Sequence, residues 1–400
     1  MWQKIKNYYH LLQAAKAALF FNYPSKHISV IGVTGTDGKT TTAHMIYEIL
    51  RSQTPKVSMI SSIYAVVGSK SYDTGFHVTT PSSWQIQKFL RRAVDSGHKY
   101  FILETTSHGL DQNRLAFVNV DVGILTNITH EHLDYHGSWE KYALAKSKLF
   151  KKTNFAILNY DDAKSYEFLK NKVTGKLITY SLKQDATYSL KNFPLKLKVL
   201  GAHNLSNALA AAAATSTLGI SKQKITKALN SFRSPKGRLD KIDLKQNFDV
   251  YIDFAHTPNG LSQALSTLRA TTRSNKSRLI VVFGAASERD VKKRPIMGGV
   301  ADEFADIVIL TSEDPRREKP AKIAAEIAKG IKHKSLNKTL FVTVDRAQAI
   351  EQAIMLAQPS DIVGTFGKGH EKSMTIGRRD YKWDEYEIVK QAIRKKMHAK

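Results

Sequence analysis

The stretch 31–42, I-G-V-T-G-T-D-G-K-T-T-T, restricts this chain more than any other segment. A β-rich run at 28–33 leads into it and a helical stretch at 41–51 leads out. Strand, glycine loop and helix in that order form a cradle for phosphate. The glycines let backbone N–H groups close around the oxygens, and the helix N-terminus adds partial positive charge. Lys39 brings a full charge to the β and γ phosphates, and Thr40 offers a hydroxyl to Mg²⁺. The strict phosphate-loop pattern has glycine where Val33 stands; this chain has Gly32, Gly35 and Gly38 instead. ATP with Mg²⁺ is therefore the expected cofactor, with Gly35, Thr36, Asp37, Gly38, Lys39, Thr40 and Thr41 lining it.

The surrounding chain repeats the alternation of strand and helix. Strands are expected at 57–60, 100–104, 122–126 and 155–159, and 176–200 reads as irregular or β-like. An Ala-rich helix follows at 202–219. A breaker-rich hinge, S-P-K-G-R-L-D at 234–240, precedes a second alternation. Its strands are expected at 250–254, 279–283, 307–310, 340–344 and 362–366, and its helices at 260–272, 321–332 and 346–357. The fold class is α/β: a central phosphate-loop domain with a parallel sheet (27–235) and a C-terminal Rossmann-like domain (236–400). Residues 1–26 read as one basic helix ending near Pro24, and 394–400 as a frayed, solvated tail.

Four hundred residues with 42% apolar content suffice for two or three cores. The absence of cysteine removes disulfides, thiolate zinc sites and a Cys nucleophile. No apolar run is long enough to span a bilayer, and no export signal is evident, so the cytoplasm is the expected location. The charge is +26, from 61 Lys+Arg against 35 Asp+Glu. It is spread along the chain without a nucleic-acid-binding motif, which argues for a solvated basic surface or anionic small ligands rather than nucleic acid.

Three further motifs follow expected strands, where α/β sheets place ligands. They are E-T-T-S-H-G-L-D-Q-N-R (104–114), N-I-T-H-E-H-L-D-Y-H-G (127–137) and D-F-A-H-T-P (253–258). The histidines of the second make zinc conceivable, but Mg²⁺ with oxygen ligands suits phosphoryl transfer better.

Together with G-T-D-G-K-T-T, these motifs resemble the Mur ligase family, closest to its MurE branch. The order of motifs matches from about residue 11 to 386. The resemblance implies an ATP-dependent ligase joining the D-Glu carboxylate of a muramoyl dipeptide precursor to a diamino acid through an acyl phosphate, in peptidoglycan synthesis. It implies that Glu104 and His132 ligate two Mg²⁺ ions with Thr40, and that Asn127 contacts nucleotide phosphate. Lys146, in Y-A-L-A-K, falls where the family carries a carbamylated lysine: CO₂ turns an ammonium that cations would repel into an anionic metal ligand. Asn204 and Asn207, opening the Ala-rich helix, would lie near adenine. Arg238 would reach phosphate, and Asp253 the ribose; nucleotide contacts from two domains imply closure around it.

For the muramoyl peptide the resemblance implicates Thr79 and Thr80 of H-V-T-T-P, and Thr106, Gln112 and Arg114. For the incoming amino acid it implicates Arg289, at its carboxylate, with Glu313, Asp314 and Arg316 of T-S-E-D-P-R and Gly367 and Glu371 of G-K-G-H-E. Arg316 favours the second carboxylate of meso-diaminopimelate, whereas Asp314 stands nearer the pattern of L-lysine-adding relatives; diaminopimelate is the favoured substrate. The family also implies a preceding UDP-binding domain, and residues 1–26 are read as the remnant of one. That leaves open how a UDP or lipid end is held, and makes these residues a candidate peripheral membrane or partner contact. The alternatives are a ligase of the same fold acting on a different or lipid-linked acid, and an ATP-binding homologue without catalysis.

Overall fold

The computed structural model describes residues 2–67, 70–72, 79–129, 131–272, 276–287 and 290–398. Contacts group the chain into two units, one of residues 1–129 with 136–233, the other of 130–135 with 234–400.

The first unit is built on nine strands: β1 Ser29–Thr34, β2 Val57–Ile60, β3 Ala65–Val67, β4 Lys70–Tyr72, β5 Tyr100–Glu104, β6 Val122–Leu125, β7 Phe155–Asn159, β8 Lys176–Ser181 and β9 Tyr188–Ser189. Their order is β4-β3-β2-β5-β1-β6-β7-β8-β9. From β2 to β9 every pair is parallel, and β3 and β4 add an antiparallel edge. The helices are α1 Trp2–Phe20, α2 Lys39–Arg51, α3 Ser83–Asp95 and α4 Ser107–Asp111, then, after the short α5 Leu133–His136 whose first three residues group with the second unit, α6 Trp139–Ser147, α7 Ala163–Leu169, α8 Ala202–Thr217 and α9 Lys222–Ser231.

A parallel sheet covered on both faces needs apolar residues at every strand position. β1 supplies them: Ile31 and Val33 join the core with α2, α8 and α9, and Val30 the core with α3 and α6. Ala208 and the alanines 210–214 of α8 are all buried, and their small side chains let α8 lie close against α2. The phosphate loop thus leaves the middle of the sheet.

α1 stops at Phe20, short of the expected end, because Asn22 and Tyr23 take left-handed backbone (φ 54° and 43°) before Pro24 opens a single 3₁₀ turn. Ala14, Ala17 and Ala18 of α1 are buried, and α1 packs on α3. Its outward stripe, Ile5, Tyr8, Tyr9, Leu12, Leu19 and Phe20, is exposed. No described helix is long and apolar enough to cross a membrane.

The second unit has strands β10 Asp240–Ile242, β11 Asp249–Asp253, β12 Leu279–Phe283, β13 Ile307–Leu310, β14 Leu340–Val342 and β15 Ile362–Phe366. They run β10-β11-β15-β12-β13-β14, parallel except for β10. Helices α10 Pro258–Ala270, α11 Lys293–Phe304, α12 Pro320–Ala328 and α13 Arg346–Leu356 alternate with them, and a hairpin, β16 Ser373–Ile376 and β17 Arg379–Lys382, follows. Residues 394–398 of the expected frayed tail are instead the end of α14, Glu385–His398, and 399–400 lie outside the described residues. Val389, Ala392 and Ile393 bury against α13, and Lys396 Nζ donates to the carbonyls of Ile354 and Met355 at 2.8 and 2.9 Å.

Candidate active site

In the first unit, the ends of β1, β2, β5 and β6 converge on the phosphate loop. Gly38 (φ 81°) takes the left-handed turn that starts α2 and offers no side-chain cap; a helix N-terminus after a glycine loop is the geometry that receives an anion. A Cβ on Gly38 would stand 2.4 Å from Asn207 Oδ1, and one on Gly35 1.7 Å from Thr126 Oγ1. Both glycines are therefore required by close approach. Asn127 holds the loop by gripping one residue from both sides: Asp37 N donates to Oδ1 (3.0 Å) and Nδ2 donates to Asp37 O (3.2 Å). Lys39 Nζ donates to Thr36 O at 2.7 Å.

Thr40 Oγ1 donates to Glu104 Oε1 (2.9 Å), and Ser62 N donates to Glu104 Oε2 (2.8 Å). Glu104 is 1% exposed, and donors meet both of its carboxyl oxygens, as burial of a polar group requires. A hydroxyl and a carboxylate beside a phosphate cradle are the hard oxygen donors Mg²⁺ takes, with its remaining positions left to water and phosphate. The residues therefore fit an Mg–nucleotide. Among the described residues no three His, Cys, Asp or Glu side chains converge on a metal-sized site.

Lys146, on α6, is 1% exposed. Its Nζ donates to Gly35 O at 2.6 Å and lies 4.5 Å from the Tyr142 ring centroid. Burial first, then the charge of Lys39, holds its pKa well below the lysine range. Tyr142 Oη and Thr36 Oγ1 are 3.0 Å apart, and Thr129 N donates to the same Oγ1. Thr41 is buried in the first turn of α2; Asn204 Nδ2 donates to Leu200 O, and Asn204 Oδ1 accepts from Asn207 Nδ2.

A second network joins most of the residues expected at the muramoyl peptide. Thr106 N donates to Thr80 Oγ1 (2.8 Å), and the two hydroxyls are 3.1 Å apart. Arg114 Nη1 donates to Thr80 O (2.5 Å), and its Nε and Nη2 both donate to Gln112 Oε1. Thr79 is half-buried next to this network. Gly109 fits under Thr80 only for want of a Cβ, which would lie 2.6 Å from Thr80 Cγ2. His136 Nε2 lies 3.0 Å from Ser107 Oγ, and burial lowers its pKa to about 4.

His132 lies in the 130–135 segment, which groups with the second unit, and takes left-handed backbone (φ 57°). Within that unit Lys293 Nζ donates to Glu131 Oε1 (3.3 Å) and His256 O (2.8 Å). Elsewhere in the second unit the expected residues gather at the C-terminal edge of the sheet. Asp253 ends β11 and accepts from Leu239 N and Ala255 N, both at 2.6 Å. Arg238 lies over Phe254, 4.8 Å from the ring centroid. Asp314 and Arg316, after β13, have left-handed backbone (φ 25° and 45°). Gly367 (φ 101°), after β15, turns where a Cβ would meet Glu313 Oε2 at 2.3 Å. Lys368 Nζ donates to Asp314 Oδ1 (2.9 Å) and Glu371 Oε2 (2.5 Å). Arg289 lies outside the described residues.

Glu313 is buried, and burial pushes its pKa up to about 7 against the pull of Lys293 and Arg346. A pKa raised on folding stabilises the protein below the unfolded value near 4.5, and that stabilisation fades as pH rises through 7. Wild type should therefore lose on the order of 3 kcal/mol of this contribution between pH 4.5 and 8. Glu313→Gln should show a flatter stability–pH profile, as read from urea unfolding; parallel profiles would rule this out.

Four contributors escaped the sequence reading. Ser62 reaches Glu104 through its backbone N–H, which no residue type marks, and its Oγ lies 2.9 Å from Thr40 Oγ1. Tyr142 and Lys368 sit inside the quoted motifs and Lys293 in none of them, yet only folding shows that the polar ends of these three meet Thr36, Glu131, Asp314 and Glu371.

Residues 33–215 match the family model for the Mur ligase middle domain, and residues 237–369 that for the Mur ligase, glutamate ligase domain. A UDP-N-acetylmuramyl-tripeptide synthetase of Borreliella burgdorferi is 41% identical, covering 94% of this chain and 78% of the relative. A UDP-N-acetylmuramoyl-L-alanyl-D-glutamate–2,6-diaminopimelate ligase of Caldanaerobacter subterraneus is 36% identical over 96% of this chain and 83% of its own. A solved structure of a ligase with that same name matches with TM-score 0.62 and 32% identity, over 93% of this chain and 79% of its own. The folylpolyglutamate synthase/dihydrofolate synthase of Yersinia pestis, at 18% identity and TM-score 0.71 over 90% of this chain and 92% of its own, shares the fold. The chain belongs to the Mur ligase family of ATP-dependent, amide-bond-forming enzymes.

Proposed function

We propose that this ligase adds a diamino acid to the D-Glu carboxylate of UDP-N-acetylmuramoyl-L-alanyl-D-glutamate, with meso-diaminopimelate favoured over L-lysine. The observation that carries the reading is the 36–41% identity to tripeptide synthetases and diaminopimelate ligases over nearly the whole chain. The Thr80–Thr106–Gln112–Arg114 network and the carboxylate-rich edge of the second sheet support it.

In this reaction a carboxylate oxygen attacks the γ phosphorus of ATP and ADP leaves, giving an acyl phosphate. The free amine of the diamino acid then attacks the acyl carbon, inorganic phosphate departs, and the amine gives up a proton. Lys39, the loop amides and the N-terminus of α2 offset the repulsion between two anionic reactants. Arg114, fixed by Gln112 and Thr80 O, positions the muramoyl peptide. Mg²⁺, when bound, draws charge from the transferring phosphoryl group. Thr40 and Glu104 are its proposed holders, with His132 and Lys146, the latter as a carbamate; a buried amine with a depressed pKa is the nucleophilic form that CO₂ requires. Asn127 orders the loop that meets phosphate, and Asn204, Asn207, Arg238 and Asp253 serve the nucleotide. Arg289, Glu313, Asp314, Arg316, Gly367 and Glu371 serve the diamino acid, and Arg316 is the reason diaminopimelate is favoured.

The test supplies ATP, Mg²⁺, bicarbonate and the UDP-muramoyl dipeptide, with diaminopimelate, L-lysine or neither. A product heavier by one diaminopimelate residue, with matching phosphate release, is expected. Product only with lysine would reverse the specificity. No product in any tube, with ATP still bound, would favour another acid or a homologue without catalysis.

We further propose that the outward stripe of α1 meets an anionic membrane surface. Residues 1–36 contain Lys4, Lys6, Lys16 and Lys26 and no acid, and tyrosines and phenylalanines suit the interface. The protein should sediment with vesicles rich in phosphatidylglycerol, not with phosphatidylcholine, and Leu12→Glu should release it. Equal sedimentation with both lipids, or none with either, excludes the contact.

A further inference from the structure

Lys368 is the only lysine of the G-K-G-H-E loop, and its side chain is wholly buried. A buried ammonium is tolerated only when carboxylates surround it. Lys368 has two, Asp314 Oδ1 at 2.9 Å and Glu371 Oε2 at 2.5 Å. These carboxylates come from different loops, one after β13 and one after β15, both at the sheet edge where open α/β folds bind ligands. Asp314 Oδ1 also accepts from Thr375 N (3.0 Å), and Arg316 N donates to Thr375 O (3.1 Å). The hairpin of β16 and β17 is thereby fastened to the same point.

The backbone leaves Lys368 little choice of direction. It lies between two glycines in left-handed conformation, Gly367 (φ 101°) and Gly369 (φ 51°). A Cβ on Gly369 would stand 2.8 Å from Phe254 Cβ, and one on Gly367 2.3 Å from Glu313 Oε2. The turn is pressed between neighbours, and its one long side chain points inward to the carboxylates.

We infer that Lys368 is a positioning residue for the incoming diamino acid: it holds Asp314 and Glu371 in register, so that one lysine and two carboxylates leave a single net negative charge for a substrate ammonium. The inference rests on the proposed amino-acid addition. Without Lys368 the two carboxylates face each other uncompensated and separate. The loops carrying Arg316 and Gly367 then lose their common anchor.

The experiment compares Lys368→Met, Lys368→Arg, Asp314→Asn and the double variant K368M/D314N in the full assay. K368M should raise KM for the diamino acid about 100-fold while KM for ATP changes less than about threefold. The double variant, with one carboxylate neutralised, should recover about tenfold of that loss. Lys368→Arg should fall between wild type and K368M. Equal losses in kcat and in both KM values, without recovery in the double variant, would reduce Lys368 to a structural residue and overturn the inference. The pairing is also read without turnover: Asp314→Asn should destabilise wild type but not K368M, and additive melting shifts would overturn it. Wild type that melts as expected yet adds no amino acid would instead defeat the proposed reaction alone.

Discussion

Lys146→Met should lower turnover about 1000-fold and leave nucleotide affinity within a few-fold of wild type, as expected for loss of an electrostatic group that acts mainly in the transition state. The side chain lies in a place where an ammonium is unwelcome. It is 1% exposed, near the charge of Lys39, with one carbonyl and one aromatic face as its neighbours. Methionine fills the same volume without charge, so folding should be preserved or slightly improved. Two roles for Lys146 then separate. If the ammonium only ties Gly35 O, Lys146→Arg retains a donor and most of the activity. If the amine reacts with CO₂ to give a carbamate and a proton, Arg cannot replace it. Wild type should then lose activity in CO₂-stripped buffer and regain it with bicarbonate, and neither variant should respond. K146M within tenfold of wild type would remove Lys146 from the chemistry.

The fold was legible because its signals are local. Strands such as β2, β5, β7, β12 and β15 were bounded to the residue, since each is a short apolar run between polar breakers. The short strands β3, β4, β10, β16 and β17 were not read at all, and other errors fell at ends set by backbone dihedrals or tertiary packing. The stop of α1 depends on left-handed Asn22 and Tyr23, and the survival of α14 to His398 depends on burial against α13. At the candidate site, the resemblance of the motifs singled out Thr40, Glu104, Thr106 and Arg114, and the fold puts Thr40 beside Glu104 and joins Thr106 and Arg114 to Thr80. Pairings across sequence were not legible. Nothing in the order of residues says that Lys368 spans Asp314 and Glu371, that Tyr142 reaches Thr36, or that the backbone of Ser62 donates to Glu104. Long-range polar contacts follow from where strands lie side by side, and strand order has no local signature.

Glu104→Gln should lower kcat between about 100- and 1000-fold and raise the Mg²⁺ concentration for half-maximal rate at least tenfold, while shifting the melting temperature only slightly. The substitution isolates charge because the hydrogen bonds can be kept. The amide oxygen can accept from Ser62 N, as Oε2 does now at 2.8 Å. The amide nitrogen can donate to Thr40 Oγ1, whose hydroxyl rotates to accept where it now donates at 2.9 Å. Neither partner is left unsatisfied in a residue 1% exposed, so the large penalty for an orphaned buried group does not arise. What disappears is one negative charge beside the phosphate loop and Lys39. If that charge serves to hold a divalent cation, magnesium dependence moves with kcat, and nucleotide binding measured without the metal stays as in wild type. Glu104→Asp keeps the charge but shortens the reach by one methylene, so it should retain more affinity for Mg²⁺ than Gln despite disturbing both hydrogen bonds. The opposite ranking, with Gln more active than Asp at every Mg²⁺ concentration, would make Glu104 a structural tie between β2 and α2 rather than a metal ligand.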